Sequence, residues 1–156
     1  MKNIVLVGYQ GVGKTFYGRK LAQELDMRFV DTDEEMEKRF QGAVRSLYEK
    51  FGENTFRREE KRIIEELQGI ENTVIATGGG VGEIEGIIRL LQGLGNVVYI
   101  YNNLEVLRKR WEKEGCFYAG IAVEEKFSRR CKLYEECCNN KVEGTWDQIL
   151  LVGSLR

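Results

Sequence analysis

The sequence contains no histidine, no proline and no large excess of charge of either sign. Histidine is the commonest general base in enzymes, so proton transfer here must fall to a carboxylate, a lysine, a tyrosine, a thiol or water. The 24 basic and 25 acidic side chains nearly cancel. We therefore expect neither a nucleic acid nor an anionic membrane as a partner, because no chain-wide field attracts one.

Long apolar runs are missing as well. No stretch approaches the roughly 20 residues that a membrane-spanning helix needs, and residues 1–3 lead into the first predicted strand without the apolar region of a signal peptide. The four cysteines lack C-x-x-C spacing, and no histidine can complete a mixed zinc site. We expect reduced thiols in a cytoplasmic protein of one domain, residues 1–156, and a monomer.

Short apolar runs alternate with helical patterns, which is typical of a parallel sheet covered by helices on both faces. The predicted strands are residues 4–7, 28–30, 73–76 and 97–100. Apolar side chains at helical spacing lie between them, beginning with Phe16, Leu21, Ala22 and Leu25. Residues 34–60 predict a helical insertion, a natural place for a second substrate. The glycine-bracketed segment 113–122 predicts a mobile lid.

A complete phosphate-loop motif, G-x-x-x-x-G-K-[ST], occupies residues 8–15 directly after the first predicted strand. Its glycines let backbone N–H groups point into one concavity, and the helix that follows presents its positive end there. The motif predicts that Lys14 reaches the phosphates of a nucleoside triphosphate and that the Thr15 hydroxyl binds Mg²⁺. The residues expected to bind the nucleotide are Gly11, Val12, Gly13, Lys14, Thr15 and Phe16.

Two further motifs follow predicted strands, so they meet the phosphate loop at one sheet edge. Asp31-Thr32-Asp33 offers one carboxylate for a water of Mg²⁺ and one for a substrate hydroxyl, although Asp33 alone is also a suitable helix N-cap. Gly78, Gly79 and Gly80 follow the third strand. Three consecutive glycines indicate close backbone approach or positive φ, with either a ligand or another chain segment against them.

Arg57 and Arg130 are candidates for clamping a carboxylate, although each taken singly is more typical of a solvated surface arginine. Their pattern is informative. The phosphate loop, Asp31-Thr32-Asp33, Gly52-Glu53, Phe56-Arg57 with Glu59, the glycine triplet, and Arg130 with Leu133-Tyr134-Glu135 occur in this order. In this order and spacing the chain resembles the shikimate kinases, from the first strand to about residue 138.

The resemblance implies a three-layer α/β/α P-loop kinase fold with a central parallel five-stranded sheet. It also implies that ATP, with Mg²⁺ as cofactor, phosphorylates the 3-hydroxyl of shikimate, a small-molecule substrate. Thr15 would bind Mg²⁺, and Asp31 would hold one of its waters. Asp33 would orient the shikimate hydroxyl, and the backbone of Gly79 and Gly80, beside Gly78, would close one side of the ring. Arg57 and Arg130 would hold the shikimate carboxylate.

The lid departs from this pattern. The family carries an Arg-Pro pair whose arginine reaches over the ATP phosphates, whereas residues 114–118 here contain neither. Arg108, Arg110 and Lys113 are the candidate replacements, and Arg108 is the one expected to be catalytic. A solvated helix face paired with Glu105 or Glu112 is the alternative for this basic run.

Three functions stay open from the sequence. The first is an active shikimate kinase. The second is a P-loop kinase for another small polyol acid or nucleotide, and the third is a binding module that has lost turnover. Retention of Lys14, Asp31, Asp33, Arg57 and Arg130 favours the first, because drift after loss of function would not spare these residues.

Overall fold

A computed structural model describes residues 2–114 and 123–154. Its sheet has five parallel strands in the order β2-β3-β1-β4-β5, which confirms the predicted α/β fold. The strands are β1 Asn3–Val7, β2 Arg28–Asp31, β3 Thr73–Ala76, β4 Gly95–Tyr101 and β5 Asn140–Glu143. The predicted lid falls at residues 115–122 for the most part, outside the described residues.

Eight helices lie within the described residues. They are α1 Lys14–Glu24, α2 Thr32–Phe40, α3 Val44–Phe51, α4 Glu53–Glu66, α5 Ile87–Leu94, α6 Leu104–Glu114, α7 Val123–Cys137 and α8 Trp146–Gly153. A single 3₁₀ turn, Val81–Glu83, follows the glycine triplet. None of the helices in these two segments is long and apolar enough to cross a membrane.

The central strand β1 divides the core, because successive side chains of a strand point to opposite faces. Ile4 and Leu6 pack into a cluster with residues of α1, α6 and α8. Val5 and Val7 pack into a second cluster with residues of α4, α5 and α7. These side chains of β1 are fully buried, so the strand that leads into the phosphate loop is held on both faces.

The helical insertion forms a smaller cluster of its own. Met36 of α2, Leu47 of α3, and Phe56 and Ile63 of α4 are buried together there. The insertion therefore has a fixed position beside the sheet edge. From it, α4 presents its polar face to the end of β3, where the glycine triplet begins.

The sequence patterns missed two elements and misplaced one side chain. Strand β5 and helix α8 were not predicted from residue periodicity, since β5 is only four residues long and alternates weakly. Phe16 was placed with the apolar face of α1, but its side chain is 66% exposed. The reason is its position in the first turn of α1, beyond the part of the helix that packs on the sheet.

Candidate active site

The phosphate loop joins β1 to α1 and depends on glycine at two positions. Gly11 and Gly13 have φ of +89° and +99°, in the left-handed region that favours glycine. Gly13 is the N-cap of α1 and has no side chain to accept from the first-turn N–H groups. Those N–H groups therefore stay available to an anion at the helix N-terminus.

Lys14 occupies the centre of this loop. Its Nζ donates to the carbonyls of Gly8 and Tyr9, the latter over 3.1 Å. Burial lowers the pKa of Lys14 to about 8, although the nearby carboxylates of Asp33 and Asp31 oppose this shift. The ammonium is thus held between backbone carbonyls and acidic groups, where a phosphate anion would favour its charged form.

Asp31 at the end of β2 links the phosphate loop to the insertion. Its Oδ2 accepts from Thr15 Oγ1 over 2.5 Å. Its Oδ1 accepts from the backbone N–H groups of Asp33 and Glu34, at 2.8 and 3.1 Å. Asp31 is therefore the N-cap of α2, and the alternative that Asp33 performs this role is wrong. The carboxylate of Asp33 is left available to the pocket.

Asp33 lies beside a second carboxylate. A methyl group on Gly78 would lie 2.7 Å from both Asp33 Oδ1 and Glu60 Oε1, so both carboxylates border the same backbone atom. Glu60 is 2% exposed. Desolvation, with the charges of Glu60 and Asp31, raises the pKa of Asp33 to about 7. A carboxyl with this pKa can accept a proton near neutral pH.

The glycine triplet is required by close approach and not by positive φ. A side chain on Gly79 would lie 2.7 Å from Gln10 Cδ, and one on Gly80 would lie 2.6 Å from Arg57 Cζ. Gly78 meets the two carboxylates. Each glycine therefore makes room for a different polar side chain of the site, while the triplet's own backbone remains against the pocket.

Arg57 comes from α4 and pairs with the buried carboxylate. Its Nη1 donates to Glu60 Oε2 over 2.8 Å, and its guanidinium lies over the rings of Tyr48 and Phe56. Glu59, which the sequence pattern grouped with Arg57, pairs instead with Arg62 at the surface. The spacing of Arg57 and Glu60, three residues apart on one helix, is the signal that identifies the correct partner.

Arg130 comes from α7 and reaches the same pocket. It is 4% exposed. Its Nε donates to Glu83 Oε1 over 3.0 Å, and its Nη1 donates to Gln10 Oε1 over 3.1 Å and to the Gly79 carbonyl over 3.4 Å. Tyr134, one turn further along α7, donates its hydroxyl to the same carbonyl over 2.7 Å. Helix α7 thus fixes the middle of the triplet.

A cavity of about 130 Å³ joins these groups. The cavity is lined by all six residues that the sequence predicts to bind the acceptor: Asp33, Arg57, Gly78, Gly79, Gly80 and Arg130. Sequence reasoning did not assign the other lining residues, which are Gln10, Val44, Arg45, Tyr48, Phe56, Glu60 and Lys126. Most of these lie on the insertion, as expected for a second-substrate site.

Two arginines of the basic run on α6 have different partners in the structure. Arg108, expected at the phosphates, donates from Nη2 to Glu124 over 2.7 Å, and both side chains are largely exposed. Arg110, the second candidate, donates from Nη1 to the carbonyl of Gly11 over 2.7 Å. One helical turn has about 3.6 residues, so residues two apart face different sides, and only Arg110 faces the loop.

Trp111 supports the loop from the same helix. Its Nε1 donates to the Gln10 carbonyl over 3.1 Å, and the side chain is 1% exposed. No sequence motif marks this residue, because its role depends on how α6 packs against the loop. Together Arg110 and Trp111 hold two successive carbonyls of the loop.

Fold and site together define a P-loop protein with a second, separate pocket at the carboxyl edge of its sheet. Residues 10–149 match the family described as shikimate kinase. The chain belongs to the shikimate kinase family.

Individual relatives agree with the family match. A shikimate kinase from Caldicellulosiruptor saccharolyticus is 44% identical over 110 residues, which is 70% of this chain and 64% of that protein. The chain thus matches slightly less than two thirds of that relative. A shikimate kinase from Persephonella marina is 36% identical over 140 residues, 87% of this chain and 85% of the relative.

A solved structure extends the similarity to three dimensions. Shikimate kinase from Acinetobacter baumannii in complex with shikimate superimposes with a TM-score of 0.84 at 31% identity. The match covers 99% of this chain and 90% of that one.

Proposed function

We propose that this chain is a shikimate kinase, which transfers the γ-phosphoryl group of ATP to the 3-hydroxyl of shikimate. One observation carries the proposal: Asp33, Arg57 and Arg130 line one cavity, and Asp33 is close enough to the phosphate-loop Lys14 to oppose the shift of its pKa. This arrangement would place a proton acceptor, two carboxylate-binding cations and a triphosphate site next to one another. The relatives' names and the Acinetobacter complex with shikimate support the choice of acceptor.

In this proposal the nucleotide binds along residues 11–16. Backbone N–H groups of the loop and of the first turn of α1 surround the phosphates, and Lys14 neutralises charge on the transferred group. Positioning of this kind supplies most of the catalysis in phosphoryl transfer, because the protein has little covalent chemistry to perform. The exposed ring of Phe16 borders the same end of α1.

Thr15 and Asp31 fit a magnesium site. Their side-chain oxygens are hard ligands 2.5 Å apart, at the edge of the phosphate loop. Since Mg²⁺ keeps several waters, Thr15 would bind it directly and Asp31 would hold one of those waters. When bound, Mg²⁺ would neutralise phosphate charge as it does in other P-loop enzymes.

Asp33 is the residue proposed to orient the attacking hydroxyl and accept its proton. Its pKa of about 7 allows it to be substantially ionised near neutral pH. Arg57 and Arg130 would bind the acceptor carboxylate from α4 and α7, on either side of the glycine triplet. A rigid acceptor held at its carboxylate presents one hydroxyl to Asp33.

A coupled assay of ADP formation tests the proposal, with ATP, Mg²⁺ and one of three acceptors. We expect turnover with shikimate and little with quinate or gluconate. A preference for quinate or gluconate would identify that compound as the acceptor in place of shikimate. Nucleotide binding without turnover on any of the three would contradict the proposal that the chain is a kinase. A cytoplasmic monomer without a nucleic-acid or membrane partner remains part of the proposal.

A further inference from the structure

The two arginines of the acceptor pocket each have a carboxylate partner. Arg57 pairs with Glu60 at 2.8 Å, and Arg130 pairs with Glu83 at 3.0 Å. All four side chains are at most 15% exposed. Each ion pair carries little net charge, so a further cation in the pocket would strengthen the binding of an anionic acceptor.

Lys126 offers that charge. It lines the same cavity, from the first turns of α7. It is four residues before Arg130, so the two share one face of the helix. Among residues 2–114 and 123–154, no carboxylate pairs with Lys126 and no hydrogen bond is made by its ammonium.

The turn that carries Lys126 has a fixed position. Its neighbour Phe127 packs edge-on against Tyr9 of the phosphate loop, with ring centroids 5.3 Å apart. The other exposed cation of the cavity, Arg45, interacts with Glu49 at 3.4 Å. Lys126 therefore lies on a turn that packs against the phosphate loop, and its exposed ammonium has no partner among the described residues.

We infer that Lys126 selects acceptors that carry a negative charge, by binding the acceptor carboxylate together with Arg57 and Arg130. This inference rests on the proposed function and adds a residue that determines its specificity. The contribution is modest, because the ammonium is exposed and water screens an exposed ion pair. It also weakens with added salt, since an exposed charge is screened.

The test is equilibrium binding of shikimate by isothermal titration calorimetry in the absence of nucleotide, at low salt. We expect Lys126→Ala to bind shikimate about fivefold more weakly than wild type, and Lys126→Arg to restore most of the affinity. The matched control is Lys132→Ala, which removes an exposed lysine from the same helix outside the cavity and is expected to bind like wild type. Shikimate methyl ester, which lacks the charge, should bind equally to wild type and Lys126→Ala.

The outcomes separate this inference from the proposed function. Equal shikimate affinity in wild type and Lys126→Ala overturns the inference and leaves the kinase proposal standing. A lower kcat in Lys126→Ala with unchanged shikimate affinity also overturns it, because the ammonium would then act on the phosphoryl group. Absence of shikimate binding by the wild type contradicts both.

Discussion

Arg110 donates a hydrogen bond from Nη1 to the carbonyl of Gly11 over 2.7 Å, which ties α6 to the phosphate loop. Arg108, two residues earlier, pairs with Glu124 on α7. The two arginines of one basic run therefore have separate roles. One fixes the conformation of the loop, and the other joins two helices at the surface.

Replacement of these arginines should separate the two roles. Arg110→Ala is expected to raise the KM for ATP about fivefold, since a net hydrogen bond contributes about 1 kcal/mol and its loss frees the Gly11 carbonyl. Arg108→Ala removes only an exposed ion pair and should change the KM by less than about twofold. Initial-rate kinetics with varied ATP measure both values. A larger increase in the KM for ATP in Arg108→Ala than in Arg110→Ala would show that Arg108 acts at the ATP phosphates.

The neighbouring carboxylates make the activity dependent on pH. Glu60 contributes to the raised pKa of Asp33, which is about 7, so Asp33 loses its activity as base when the pH falls through that value. Glu60→Gln should lower the pKa of Asp33 and move the acidic limb of the kcat/KM profile to lower pH. Glu59→Gln is the control, because Glu59 pairs with Arg62 at the surface. An acidic limb at the same pH in wild type and Glu60→Gln would show that the two carboxylates are not coupled.

The raised pKa of Asp33 also predicts that replacing this residue increases stability while it lowers activity. A carboxyl whose pKa is raised by folding stabilises the protein at low pH, and this stability is lost as the pH rises through about 7. Asp33→Asn removes the ionisation, so its melting temperature should exceed that of wild type, by more at pH 8 than at pH 5. Turnover should fall at least about a hundredfold. Thermal denaturation of both proteins at pH 5 and pH 8 measures the difference in melting temperature. An equal difference at the two pH values would contradict the raised pKa of Asp33.

Arg130→Ala should raise the KM for shikimate far more than the KM for ATP, because the side chain lines the acceptor cavity. The change also leaves the partly buried Glu83 without one of its donors, so some loss of stability is expected. Circular dichroism and melting checks must show that the variant is folded at the assay temperature. Similar increases in the KM for shikimate and the KM for ATP would show that Arg130 does not bind the acceptor specifically.

The local parts of this site could be predicted from sequence. The phosphate loop, the carboxylates after β2 and the glycines after β3 each follow a strand, and parallel strands bring their carboxyl ends to one edge. Asp33, Arg57 and Arg130 meet there as expected. The pairing of Arg57 with Glu60 was not assigned from the sequence, because the order of residues in a motif does not show which one faces inward on a helix.

The supporting contacts could not be predicted in the same way. Arg110 and Trp111 contact a loop about a hundred residues away in the chain. These contacts depend on how α6 packs against the phosphate loop, and no motif marks them. The pairing of Arg130 with Glu83 depends likewise on the meeting of α7 with the 3₁₀ turn. Such contacts arise from tertiary structure, whereas sequence patterns report local structure.

The most direct test of the account is ³¹P NMR of the products formed from ATP, Mg²⁺ and shikimate. The wild type should form one phosphomonoester of shikimate for each ADP, and Lys14→Ala should form it at least about a hundredfold more slowly. ADP accompanied by inorganic phosphate alone, or a phosphomonoester formed equally fast by Lys14→Ala, would contradict phosphoryl transfer to shikimate at this site.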